Sequence, residues 1–104
     1  MRQLQDKVKN FCEHHNLSTS VEARLLDLVS ELGELAKEIL LNSDYGKKTI
    51  DFSERLEEEL GDVIFSLIAL SNSFNIDMEA ALDRVLNKYQ SRAHNGSIGS
   101  TTNE

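Results

Sequence analysis

The chain has 104 residues, enough for one domain with a single modest core and too few for two. Its 18 Asp and Glu against 11 Lys and Arg leave a net charge of −7, which repels nucleic-acid phosphates and anionic lipid head groups, so neither a nucleic-acid polymer nor a membrane is an expected partner. A small polyphosphate stays compatible with that charge if some carboxylates hold a divalent cation, because the metal reverses the local sign.

Taken in chain order, the start Met1-Arg2-Gln3-Leu4 lacks the apolar stretch of a signal peptide. Cys12 is the only cysteine, so no disulfide closes within the chain and a reducing cytoplasm is the expected compartment. Proline is absent, which lets long segments be helical without an internal breaker. Leu4, Val8, Phe11 and Cys12 recur at helical spacing and predict a first helix to about His15. Ser18-Thr19-Ser20 supplies capping hydroxyls for a second helix carrying Val21, Leu25, Leu28, Leu32, Leu35 and Ile39, ending near Leu41. The polar segment 42–48, with Gly46, reads as a connection. Asp51 with Glu54 resembles a capping box for a third helix to about Phe74. Asp77 then caps a fourth helix carrying Met78, Leu82, Val85, Leu86 and Tyr89. Beyond Arg92 the pattern stops, so the expectation is one all-α, four-helix domain over 1–93 and a disordered tail over 94–104.

The chemistry is concentrated in an echo: Glu31-x-x-Glu34 on the second helix and Glu59-x-x-Asp62 on the third, beside Gly33 and Gly61. Residues three apart share a helix face, so each pair sets two carboxylates side by side. One such pair alone describes a solvated face. The second pair, however, opens Val63-Ile64-Phe65 and Leu67-Ile68-Ala69-Leu70, apolar nearly all round and therefore core. Carboxylates at the edge of buried surface need a cation or strong donors. If the two helices pack antiparallel the pairs face each other, and oxygen-only ligation suits Mg²⁺ or Mn²⁺. A di-iron bundle needs a histidine three residues after a glutamate, which neither Glu31 nor Glu59 has; His14, His15 and His94 read as surface residues. Glu38 continues the acidic stripe of the second helix. Arg84, Lys88 and Arg92 form a basic stripe on the fourth, which beside a metal site suits phosphate.

At these residues the sequence resembles the MazG-like family of all-α nucleoside triphosphate pyrophosphohydrolases. The resemblance is carried by Leu28-Val29-Ser30-Glu31-Leu32-Gly33-Glu34-Leu35-Ala36 and Glu58-Glu59-Leu60-Gly61-Asp62-Val63-Ile64-Phe65, continues through 67–72 and 76–82, and spans most of residues 4–92. Ser30 departs from it, standing where many members have another glutamate. The serine-tyrosine-threonine segment of the phosphoribosyl-ATP branch is not found, which ranks that substrate lower.

The resemblance implies a four-helix bundle completed by homo-oligomerisation, as a homodimer or homotetramer with base pockets near subunit contacts. It implies Mg²⁺, with Mn²⁺ as substitute, on Glu31, Glu34, Glu59 and Asp62. One of these or Glu38 would orient the attacking water, Lys88 and Arg92 would hold phosphates, and Asn72 would lie near the nucleotide. The implied reaction converts an NTP or dNTP to monophosphate and pyrophosphate, with house-cleaning of non-canonical nucleotides as a role. The competing reading is a non-catalytic, metal-binding helical oligomerisation or regulatory module.

Overall fold

A computed structural model describes residues 2–94, which form four helices: α1 Arg2–His14, α2 Val21–Asn42, α3 Glu54–Ser73 and α4 Met78–His94. The all-α expectation holds, and among the described residues no helix is long and apolar enough to cross a membrane. His94, the first residue of the expected tail, closes α4; the rest of that tail lies outside the described residues.

Three of the helices, α2, α3 and α4, start where a short polar side chain takes an orphan backbone N–H. The Ser20 hydroxyl accepts from the Ala23 N–H at 3.1 Å, and Asp77 Oδ1 accepts from the Glu79 and Ala80 N–H groups at 3.0 and 3.2 Å. The third start corrects the expectation: Ser53, not Asp51, caps α3, accepting from the Leu56 N–H at 3.0 Å. Asp51 is diverted because its backbone N–H and carbonyl both pair with the Asn42 side-chain amide, each at 2.8 Å, which clips the end of α2 to the approach to α3.

The ends of α1 and α3 share one device. Asn16 and Asn75 each take φ of 55°, the left-handed conformation that asparagine tolerates. Behind each, two backbone bonds close the last turn, Leu17 to Cys12 and Asn16 to Glu13 in one, Ile76 to Ser71 and Asn75 to Asn72 in the other.

The main packing unit is the α2–α3 hairpin, with α1 laid across α3 and α4 resting principally against α1. α1 runs antiparallel to α3, since Gln5 meets Asn72 while Phe11 meets Phe65 edge to face at 6.1 Å. Ile68 and Ala69 of α3 are the buried apolar centre. Much else stays open. Val29 of α2, Leu60 and Ile64 of α3 and Leu82 and Leu86 of α4 are 45–56% exposed, and the radius of gyration of 16.7 Å exceeds the roughly 13 Å of a compact domain this long.

Candidate functional site

The antiparallel hairpin brings Glu31 of α2 against Glu59 and Asp62 of α3. One carboxylate oxygen from each lies within 4.8 Å of the other two; Glu31 and Glu59 are half-buried and Asp62 is exposed. Partial burial first, and then the charges of Glu34, Asp62 and Glu31, push the Glu59 carboxyl above its ordinary value of 4.5, while Arg55 opposes them. Three acidic oxygens converging from two helices, with no other donor type, match the chemistry of a hard divalent cation such as Mg²⁺.

Glu34 does not join this trio. It is exposed, one turn along α2, and faces Glu59 across a cleft of about 430 Å³ that Lys37, Glu38 and Arg55 also line. Glu59 separates this cleft from a second, of about 550 Å³, bordered by Glu58, Gly61 and Asp62. Both clefts are open to solvent on the flank that carries the carboxylates.

Glu38 is committed elsewhere. Its carboxylate, 16% exposed, pairs with Arg55 Nε at 3.2 Å. Arg55 is the residue that sequence reasoning missed, although it stands four before Glu59 on α3, the spacing that shares a helix face. It is the one cation that borders both clefts among the described residues.

The remaining candidates lie apart from the trio. Asn72, on α3, has both ends of its amide bonded to Gln5 of α1. Lys88 and Arg92 are on α4, whose main contact is α1 and not the carboxylate-bearing helices. The Lys88 ammonium lies 5.6 Å from the centre of the neighbouring Tyr89 ring. His14, His15 and His94 are exposed, as expected.

Comparison with known proteins bears on this arrangement. Residues 19–97 match the family model of the MazG nucleotide pyrophosphohydrolase domain. YpjD of Bacillus subtilis strain 168, an uncharacterised protein, is 45% identical over 73 residues, which cover 67% of this chain and 64% of YpjD. The gene 37 protein of Mycobacterium phage L5 is 39% identical over 76 residues, covering 70% of this chain and 66% of the phage protein. The chain thus spans a little under two thirds of the length of either relative. Among solved structures, the Bacillus-conserved MazG protein, a nucleotide pyrophosphohydrolase, superposes with a TM-score of 0.70 at 37% identity over 85% of this chain and 86% of that one. The crystal structure of YpjD superposes with a TM-score of 0.72 at 39% identity over 88% and 94%.

Proposed function

Because the chain belongs to the MazG nucleotide pyrophosphohydrolase family, we propose that it hydrolyses a nucleoside triphosphate, NTP or dNTP, to the monophosphate and pyrophosphate in the cytoplasm. The observation that carries this reading is the convergence of Glu31, Glu59 and Asp62. These three, with Glu34 at their edge, would hold Mg²⁺ or Mn²⁺. When bound, such a cation neutralises triphosphate charge and makes water more acidic.

The chain's own groups take the remaining tasks. Glu34, beside Glu59 but outside the trio, is the candidate to orient the attacking water and accept its proton; Glu38 is held by Arg55 and serves that residue instead. Arg55 borders the clefts and supplies positive charge toward the phosphates. Lys88 and Arg92 also bind phosphate in this reading. Since α4 rests mainly on α1, they reach a carboxylate cluster most readily in a homodimer or homotetramer, which the open apolar surface of α2, α3 and α4 favours. House-cleaning of non-canonical nucleotides follows as the role.

The test is a panel of canonical and modified NTPs and dNTPs with Mg²⁺, Mn²⁺ or EDTA, read as pyrophosphate against orthophosphate, with Asp62→Asn as control. Metal-dependent pyrophosphate release that the variant loses supports the reading. No turnover, with metal still raising the melting temperature, transfers the site to a non-catalytic metal-binding module.

A further inference from the structure

The α2–α3 hairpin is fastened by polar rungs that step along it at helical spacing. Asn42, Glu38 and Glu34 stand four apart and form one column on α2, with Glu31 three further back. Arg55, Glu59 and Asp62 form the facing column on α3, and Asp51 lies just ahead of it. Because the helices are antiparallel, the columns meet in order. The Asn42 amide donates to the Asp51 carbonyl and accepts its N–H, both at 2.8 Å, and Glu38 pairs with Arg55 at 3.2 Å. Glu34 and Glu59 then line one cleft, and Glu31 converges with Glu59 and Asp62. The first two rungs attract and the last two repel.

That order has a mechanical consequence. The carboxylates push α2 and α3 apart at the metal end, and apolar packing within the chain resists only in part: no residue of α2 is fully buried, and Leu25, Val29 and Leu32 are exposed. The Glu38–Arg55 pair is open to water on the arginine side, so salt weakens it. The Asn42 rung consists of two neutral hydrogen bonds to main chain and is indifferent to salt. Behind it the connection is folded into a tight ring. Asp44, Tyr45 and Gly46 take φ of 49°, 57° and 88°, a costly conformation for the two that carry side chains. Ser43, 6% exposed, secures this turn. Its carbonyl accepts from the Gly46 and Lys48 N–H groups at 3.1 and 3.0 Å, and its hydroxyl accepts from Gly46 as well, at 3.1 Å. Strained backbone of this kind persists where the surroundings enforce one geometry. The tip is therefore a rigid closure, and Asn42 passes its geometry to both helices.

Oxygen ligands of Mg²⁺, bound at about 2.0–2.1 Å, lie at most about 4.2 Å apart, whereas those of Ca²⁺, at about 2.3–2.6 Å, spread to about 5 Å. The oxygens of Glu31, Glu59 and Asp62 lie within 4.8 Å of one another, between those limits, so a small shift in the hairpin decides which ion fits. We propose that Asn42 is a positioning residue for this cluster, holding α2 and α3 close enough that the carboxylates favour Mg²⁺ over Ca²⁺. The assignment rests on the reading that these carboxylates hold a divalent cation. It gives a role to a residue about three turns from Glu31 that acts only through the main chain of Asp51.

The test is Mn²⁺ binding to the full-length protein, read from the EPR signal of the free ion and displaced by Mg²⁺ or by Ca²⁺. In the unaltered protein Mg²⁺ displaces at the lower concentration. Asn42→Ala weakens Mg²⁺ about tenfold, the low end for groups that support metal ligands, and Ca²⁺ much less, so the preference narrows by nearly the same factor. Asp51→Ala keeps the main-chain groups that Asn42 uses and leaves the preference unchanged. Should Asn42→Ala not fold, as read by its melting temperature in EDTA, Asn42→Ser retains one of the two hydrogen bonds and gives a smaller shift in the same direction. A Ca²⁺ preference in the unaltered protein, an unchanged preference in the Asn42 variant, or an equal change in Asp51→Ala overturns the positioning role and leaves the metal site standing. Absence of Mn²⁺ binding by the unaltered protein overturns the metal reading and the positioning role with it.

Discussion

Gln5 and Asn72 hold each other from two directions: Gln5 Nε2 donates to Asn72 Oδ1 at 3.0 Å, and Asn72 Nδ2 donates to the Gln5 main-chain carbonyl at 3.1 Å. Gln5 also donates to the Ile76 carbonyl at 2.7 Å and accepts the Met78 N–H at 2.9 Å, so one buried amide ties α1, α3 and the start of α4 together.

Gln5→Leu keeps the volume and strands three partly buried partners, Asn72 Oδ1, the Ile76 carbonyl and the Met78 N–H. A buried polar group left unpaired costs about 1–3 kcal/mol, and in a chain this short each kcal/mol lowers the melting temperature by roughly 4–8 °C. A melting temperature within a degree or so of the unaltered protein would show that water replaces the amide without loss.

The carboxylate trio makes an unusual demand on its variants. Glu31→Gln, Glu59→Gln and Asp62→Asn each remove repulsion, so in EDTA each is neutral or stabilising, and Glu59, raised by the charges of all three acidic neighbours, responds most. With Mg²⁺ the order reverses, since binding to the native state alone stabilises by about 2.7 kcal/mol at a hundredfold excess over Kd, and the variants forfeit that gain. Glu34→Gln, outside the trio, retains part of the metal-induced rise while losing turnover. Calorimetry with Mg²⁺ and with EDTA separates these outcomes; equal losses at all four residues would mean that Glu34 is a full ligand.

The four helices and both carboxylate pairs were legible because each rests on local spacing: three residues for a shared face, a capping hydroxyl or carboxylate at the start. What was not legible depends on rotation and distance. That Glu34 falls outside the trio, and that Glu38 turns to Arg55, follows from how α2 is rotated about its axis by packing against α3, and periodicity alone leaves that angle open. Ser53 displaced Asp51 as cap because both are capping residues two positions apart, and the choice was made by Asn42 on another helix. The Gln5–Asn72 clasp joins residues 67 apart, and no local pattern announces it.

Arg55→Gln should be mild in stability and sharper in chemistry. The arginine is 75% exposed, so its pair with the mostly covered Glu38 contributes the roughly 0.2–1 kcal/mol of surface pairs. Its removal also takes away the one charge that lowers the Glu59 carboxyl, which then rises further and holds a cation less well at acidic pH. A double-mutant cycle with Glu38→Gln gives the pair's coupling, and Mg²⁺ titration below neutral pH gives the second effect. Unchanged metal affinity would confine Arg55 to its partner.

Asp77 carries an acid-sensitive share of stability. The Ala80 N–H, then the Glu79 N–H and Arg2, whose guanidinium is 3.1 Å away, hold its carboxyl below the ordinary 3.8, against a smaller opposing effect of burial. A carboxyl lowered by folding stabilises above its unfolded value, and that contribution is lost as pH falls through the folded one. Asp77→Asn keeps a capping oxygen and removes the charge, so the two proteins differ at neutral pH and converge in acid. Urea unfolding across that range checks it; a constant difference would assign the effect to the cap alone.

The flank opposite the carboxylates tests the assembly. Helical spacing sets Leu25, Val29 and Leu32 of α2 beside Leu60, Ile64 and Leu67 of α3, all exposed, so the hairpin presents a continuous apolar stripe on the side that α1 does not cover. Apolar surface contributes about 25 cal/mol per Å² when it leaves water, and only another apolar face removes a stripe of this kind from it. Ile64→Glu sets an unpaired charge at the centre of that stripe, where burial against a second copy is prohibitive, without touching the carboxylate cluster. Sedimentation at micromolar concentration should show a dimer or tetramer for the unaltered chain and a smaller species for the variant. If pyrophosphate release falls with assembly while Mg²⁺ still raises the melting temperature, the basic α4 residues act across subunits; if the variant monomer stays fully active, each chain completes its own site.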